Sequence, residues 1–163
     1  MRVAIVSDTH VPSRAAAVPE WVLEEVRAAD HTVHAGDFDA AETLSLFEDA
    51  AAELTAVTGN MDPAALDLPA VATVEAGGVE FVVTHGTGSL SGYEQRVRET
   101  VVEHGSTGAV GVSGHSHELM DHTLGGVRLL NPGSATGADP ADEATMLRAE
   151  AAGGELDVEV LRE

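Results

Sequence analysis

The sequence predicts an α/β fold in which two mixed sheets pack face to face with helices outside, and two observations carry that prediction. Within the first 62 residues a short apolar run, a polar loop and a helical stretch follow one another and then start again, as in βα units with parallel strands. Beyond residue 70 the rhythm changes to strand pairs around Gly77-Gly78, Gly125-Gly126 and Gly153-Gly154, glycine pairs of the kind that tight hairpin turns select. A chain of 163 residues is long enough for one domain with a real core and short for two, so residues 1–163 are read as a single domain without internal repeat.

Residues 2–7, rich in Val and Ile, read as a buried strand that delivers Asp8 at its C-terminal end, where open α/β sheets place their ligands. Pro19 suits a helix start, and Trp21, Val22, Leu23 and Val26 form a stripe to about Ala29. His31 to Ala35 is a second strand leading to Gly36-Asp37; residues 40–50 are helical through Leu44 and Phe47. Glu53 to Thr58 is a third strand, delivering Gly59-Asn60-Met61-Asp62. The hairpin Val71–Glu75 and Val79–Thr84 ends at His85-Gly86, and Tyr93, Val97 and Val101 mark a helix over 92–104. A strand at 109–113 leads to Gly114-His115-Ser116-His117, followed by strands at 118–124 and 127–130, a turn at Asn131-Pro132-Gly133-Ser134, and final strands at 143–150 and 155–162. The acidic stretch Asp139 to Glu143 reads as a solvated turn.

Charge dominates the composition: 28 acidic residues face eight arginines and no lysine, for a formal net charge of −20. Such a surface repels itself at ordinary ionic strength, whereas in molar salt the Debye length shrinks to about 3 Å. Together with the missing lysine, this points to a salt-accumulating cytoplasm such as that of a halophilic archaeon. No basic track serves nucleic acid or an anionic membrane. The absence of cysteine excludes disulfides and thiolate metal sites. The start runs straight into Ser7-Asp8 without a long apolar segment, so a cytoplasmic protein with no membrane span is expected.

Taken singly, an Asp at a strand end caps a helix or turn, and a lone His is a structural hydrogen-bonder. Here Asp8, His10, Asp37, Asn60, His85, His115 and His117 all follow expected strands and can face one sheet edge. Carboxylate, imidazole and amide oxygen without thiolate suit Mn²⁺, Fe²⁺ or Zn²⁺. One carboxylate bridging two ions about 3.5–4 Å apart gives the clamp used for in-line attack at phosphorus, and Asp37 is the obvious bridge. Strand alternation turns residues i and i+2 the same way, which would aim His115 and His117 at one site.

The order Asp-x-His, Gly-Asp, Gly-Asn-x-Asp, His-Gly, Gly-His-x-His resembles the calcineurin-like metallophosphoesterases. The short length, with Ser7-Asp8-Thr9-His10 and Asn131-Pro132-Gly133-Ser134, is similar to their small phosphodiesterase group related to the retromer subunit Vps29. The resemblance spans residues 7–134 and implies a four-layer αββα sandwich. It implies two divalent ions, Mn²⁺ first, with Fe²⁺, Ni²⁺ and Zn²⁺ also compatible. Asp8, His10, Asp37 and His117 would hold one, and Asp37, Asn60, His85 and His115 the other. A hydroxide bridging them would attack the phosphorus of a small phosphodiester. Asn60, Asp62 and His85 are the candidate catalytic residues. Met61 stands where many phosphatases of the wider superfamily carry a histidine that helps protonate the leaving group, a departure common in the small group. Asp62 could orient a ligand or water instead; its competing role is to cap a helix or orient His85 or His115.

The other histidines, His31, His34, His104 and His122, are read as structural, and Arg14 is the one nearby cation for a substrate phosphate, with a surface role as the competing reading. A phosphomonoesterase and a non-catalytic Vps29-like scaffold are the alternative functions, and a nuclease ranks below them because the surface is so acidic. A homo-oligomer is compatible with the sequence, which does not specify one.

Overall fold

A computed structural model describes Met1–Glu163. The first sheet runs in the order β10-β9-β1-β2-β3, from Glu155–Arg162, Thr145–Ala152, Arg2–Val6, His31–His34 and Leu54–Ala56. Its β1, β2 and β3 are parallel, as the repeated βα rhythm demands, and β9 and β10 return antiparallel. The second sheet runs β4-β5-β6-β8-β7, from Val71–Ala76, Val79–Thr84, Val110–Val112, Val127–Pro132 and Leu119–Leu124. Here β5, β6 and β8 are parallel, flanked by hairpin partners.

Alternate residues of each strand face different layers. Val3, Ile5, Val33, Phe81, Val83, Val112 and Leu130 close an apolar core between the sheets. On the outer face of the first sheet, Ala4, Val6 and Met146 pack against α1 (Glu20–Ala28) and α2 (Ala41–Ala50) through Val22, Val26, Leu44 and Phe47. Beyond the second sheet, Val82 and Leu129 meet Tyr93, Val97 and Val101 of α3 (Tyr93–His104). The layers are therefore helix, sheet, sheet, helix, the αββα sandwich.

Local chemistry sets the ends. Pro19 precedes α1, whose first and last turns carry Glu20 and Arg27, charges that complement the helix dipole. Gly77 and Gly78 both take positive φ in the β4–β5 turn. Two expectations shift. β3 is only three residues long because Thr58 N–H leaves the sheet to donate to Pro69 O at 2.8 Å, and a 3₁₀ turn at Ala64–Leu66 follows. The turn expected at Asn131–Ser134 begins later: β8 continues through Pro132, pairing Asn131 with Met120 and Pro132 with Leu119. Proline is tolerated where a strand ends, since no further ladder bond is asked of it. No helix is long and apolar enough to cross a membrane.

Candidate metal centre

Five loops leave β1, β2, β3, β5 and β6 at one edge of the sandwich, and backbone bonds tie them together. Asp8 N–H donates to Gly36 O at 3.0 Å, His10 N–H to Asp37 O at 3.1 Å, and Gly114 N–H to His85 O at 3.2 Å. Asp8, His10, Asp37, Asp39, His115 and His117 all have positive φ, from 47° to 79°. Only Asp67 does so among the other non-glycine residues. This conformation is uncommon for residues with a Cβ and costs on the order of 1 kcal/mol or more, so its concentration at one edge marks a place where side-chain aim overrides backbone preference. His115 and His117 diverge through this left-handed loop, rather than sharing a strand face as pleat alternation would have it. Close packing requires glycine: a Cβ on Gly59 would lie 2.1 Å from Asp37 Oδ1, and one on Gly114 would lie 2.6 Å from Asp8 Oδ2.

The hydrogen bonds fix which ring nitrogens are free. His85 Nδ1 donates to Ala35 O at 2.7 Å, His117 Nδ1 to Ala138 O at 2.8 Å and His115 Nε2 to Gly88 O at 2.7 Å, since a carbonyl can only accept. His10 Nδ1 faces Asp39 Oδ1 at 3.0 Å and donates likewise. In the neutral imidazoles every remaining nitrogen then turns a lone pair on another acceptor. His85 Nε2 is 3.0 Å from Asn60 Oδ1 and 3.1 Å from Asp37 Oδ2, and His115 Nδ1 is 3.1 Å from Asn60 Oδ1. His10 Nε2 is 3.2 Å from His117 Nε2 and 3.4 Å from Asp37 Oδ2. Asp8 Oδ2 is satisfied by Ser7 Oγ–H at 2.6 Å and His115 N–H at 3.0 Å, while the buried Oδ1 has no hydrogen-bond partner, 3.2 Å from His117 Nε2. Acceptors converging on acceptors call for positive charge between them. Three groups have spacing that can hold a metal ion: Asp8/His10/His117 and Asp8/Asp37/His85 among these acceptors, and Asp37/Asp39/Asp62 beside them. Asp8, His10, Asp37, His85 and His117 are buried, whereas Asn60 is exposed and His115 half-buried, so the centre opens on that side.

Residues 1–154 match the family model of the calcineurin-like phosphoesterase superfamily domain. The chain belongs to the calcineurin-like phosphoesterase superfamily. It is 34% identical over 164 residues to a probable metallophosphoesterase of Methanothermobacter thermautotrophicus, covering 99% of this chain and 92% of that one. It is 28% identical over 152 residues to a phosphodiesterase of Methanocaldococcus jannaschii, covering 84% and 86%. In fold it is similar to Vps29 of Chaetomium thermophilum, with a TM-score of 0.84 at 19% identity over 100% of this chain and 97% of that one.

Around this phosphoesterase centre stands a second ring of residues whose roles the sequence did not disclose. Asp62 carries no free acid function. Its Oδ1 accepts from Phe38 N–H (2.8 Å) and Asp39 N–H (2.9 Å), and its Oδ2 from Asp37 N–H (2.9 Å) and Gly59 N–H (2.7 Å), which clamps the bridge loop to the Asn60 loop. These bonds give Asp62 a backbone-clamping role, of the structural kind that competes with its candidate catalytic one. Asp39, unassigned in the sequence, orients His10 and also binds Ser13 Oγ. Asn131 Nδ2 donates to Gly114 O at 3.0 Å and Ser116 Oγ at 3.0 Å, and Ser134 Oγ donates to Asp8 O at 2.7 Å. Arg14 is exposed; its Nη1 donates to Asp139 O at 2.9 Å, and its charge bears on His117. His122 pairs with Glu94 on the surface, and His31 Nε2 lies 2.8 Å from Thr55 Oγ1. A carboxylate behind a ligating histidine sets its tautomer and basicity, so Asp39→Ala should weaken divalent-metal affinity about 10- to 100-fold. Calorimetric titration with Mn²⁺ checks this, and an unchanged affinity would show that the Asp39–His10 bond is incidental.

Burial alone would raise the pKa of Asp8, but the neighbouring imidazoles of His10, His117 and His85, which favour its charged form, outweigh it and hold the group below the usual carboxylate range. Burial opposes charge on His85 and His117, yet Asp37 and Asp8 beside them lift both above the usual imidazole value. His34 behaves oppositely. Fully buried and stacked on Phe38 at 3.6 Å, it accepts from Gly36 N–H at Nδ1 and donates from Nε2 to Thr9 Oγ1, and burial takes its pKa down to about 3. An unfolded chain regains the ordinary 6.5, so between those values it binds the extra proton. Stability contributed by neutral His34 is therefore whole above pH 6.5 and drains away as pH falls toward 3, by roughly 5 kcal/mol in all. Urea unfolding of His34→Gln should show a flatter pH profile across this window than the parent protein; parallel profiles would contradict it.

Proposed function

We propose that this phosphoesterase hydrolyses phosphodiester bonds of a small substrate with two divalent ions, one at Asp8, His10, Asp37 and His117 and the other at Asp37, Asn60, His85 and His115. The observation that carries this reading is the convergence of four imidazoles, two buried carboxylates and the Asn60 amide oxygen, which with the imidazoles neutral offer only lone pairs to one another. Ions held there, Mn²⁺ first and Fe²⁺, Ni²⁺ or Zn²⁺ as alternatives, would activate water and neutralise charge on the phosphoryl oxygens. Asp37 Oδ2, 3.4 Å from His10 Nε2 and 3.1 Å from His85 Nε2, faces both halves more closely than Asp8 Oδ1 does at 3.7 Å and 3.9 Å, which supports Asp37 as the bridging ligand. Asn60 and His115, on the open side, are placed to meet the incoming ester. A filled ligand set favours an enzyme over a scaffold that only keeps the fold. The domain is taken as one unit over 1–163, working in a salt-rich cytoplasm.

No side chain stands ready to protonate the leaving group. Met61 is apolar and 44% exposed at the rim, and both oxygens of Asp62 are engaged. A positioned general acid is worth about 10²- to 10⁴-fold, and its absence should appear as steep leaving-group dependence. Across aryl phosphodiesters, kcat/KM should fall by about 10²-fold or more between p-nitrophenyl and phenyl leaving groups. A flat series would mean that an acid has been missed.

The proposal itself is tested on bis(p-nitrophenyl) phosphate against p-nitrophenyl phosphate, with and without Mn²⁺, from low salt to molar KCl. Mn²⁺-dependent preference for the diester is expected. Preference for the monoester would move the assignment to a phosphomonoesterase, and no turnover of either would favour the scaffold.

A further inference from the structure

In a chain with 28 acidic residues, an arginine without a carboxylate partner needs a reason. Five of the eight have one at 2.6–3.1 Å: Arg2, Arg27, Arg128, Arg148 and Arg162. Arg98 instead braces the β7–β8 hairpin through Leu124 O and Gly125 O. Arg14 and Arg96 stand by the metal centre, Arg14 on the His117 side and Arg96 in a cavity of about 360 Å³ walled by Asn60 and His85.

That cavity lies at the small end of ligand sites, which run from about 300 to 1,000 Å³. Four threonines, Thr58, Thr84, Thr87 and Thr100, are among the other lining residues, and no carboxylate is, which is out of keeping with so acidic a protein. Arg96 spends Nη2 on Gly86 O and Ser89 O, both at 2.9 Å, and so holds the loop whose Gly88 O orients His115. Its Nε is buried without a partner, and its guanidinium lies 5.9 Å from the Tyr93 ring centroid. A restrained guanidinium whose Nη1 makes no hydrogen bond, beside the free hydroxyls of Thr84 and Thr87, is chemistry suited to an oxyanion, which accepts from both.

We infer that this threonine-walled cavity receives a second phosphate of the substrate, carried on the ester arm that stays behind when the leaving group departs. The inference rests on the phosphodiesterase reading and narrows it to diesters bearing a further phosphoryl group. Arg96 is the specificity determinant, and the hydroxyls of Thr84 and Thr87 complete the oxyanion's hydrogen bonds, those of Thr58 and Thr100 already donating to Gly59 O and Arg96 O.

The test compares two substrates in Mn²⁺ at fixed ionic strength: 4-nitrophenyl ethyl phosphate, and the same ester with a terminal phosphate on the ethyl arm. The parent protein should favour the phosphorylated arm by about tenfold or more in kcat/KM. Arg96→Met should bring the ratio to about one and Arg96→Lys should retain part of it, whatever happens to the absolute rates. Thr84→Val and Thr87→Val, which leave the Arg96 bonds to Gly86 O and Ser89 O in place, should lower the ratio severalfold. A ratio near one in the parent protein overturns the inference while leaving a phosphodiesterase intact. A preference that survives Arg96→Met overturns it too, because a mere loop brace would slow both esters equally. Should neither ester turn over, calorimetric binding of ethyl 2-phosphoethyl phosphate against diethyl phosphate decides. Arg96-dependent preference for the former supports the phosphate pocket although the phosphodiesterase reading fails, and equal binding removes both.

Discussion

Asp37→Ala is expected to lower Mn²⁺-dependent kcat/KM on bis(p-nitrophenyl) phosphate by at least about 10³-fold, the equivalent of roughly 4 kcal/mol of transition-state stabilisation. The size follows from position: one oxygen, Asp37 Oδ2, faces His10 and His85 at once, so its loss removes a ligand from each half of the centre. Asp37→Asn should be as inactive for a different reason. Its amide can still accept Met61 N–H, which now donates to Oδ1 at 2.8 Å, but its NH₂ would donate to the imidazole lone pairs and satisfy them in place of an ion. The asparagine variant should therefore be at least as stable as the metal-free parent while holding fewer ions, which unfolding curves and metal counts read directly. Turnover within tenfold of the parent in either variant would remove Asp37 from the bridge.

Asp62→Ala should destabilise the protein by on the order of 4 kcal/mol, because four backbone N–H groups lose a charged acceptor together. Asp62→Asn, which keeps one oxygen, should recover about half of that. Metal affinity should fall with stability, since the clamped loop carries Asp37. A leaving-group acid would behave otherwise: Asp62→Asn would then fold as well as the parent and lose rate selectively on poor leaving groups. Urea unfolding beside a leaving-group series separates the two.

These residues also mark where the sequence could be read and where it could not. The strand ends were legible because apolar runs stop abruptly at Asp8, Asp37, Asn60, His85 and His115, and the structure brings those positions together. α3 was legible because Tyr93, Val97 and Val101 repeat at one helical period and are buried. Hidden from the sequence was what depends on backbone N–H direction. Asp62 and Asp39 look like any loop carboxylate until the left-handed residues at 37 and 39 turn their N–H groups and side chains. The Asp39 spacing, two residues after Asp37, was the one available hint. Asn131-Pro132-Gly133 read as a turn because local chemistry favours one, whereas strand pairing with β7 and the Asn131 bonds to the His115 loop extend β8. His34 was set apart from the candidate ligands as structural, but its link between the Asp8 and Asp37 loops needed coordinates.

The central claim is a two-ion centre that hydrolyses diesters, and its most direct test is to titrate metal-stripped protein with Mn²⁺ while following bis(p-nitrophenyl) phosphate hydrolysis. Activity should rise from nothing and saturate as two ions bind per chain. Turnover that ignores Mn²⁺, or none at any Mn²⁺ concentration with the protein folded, would contradict the account.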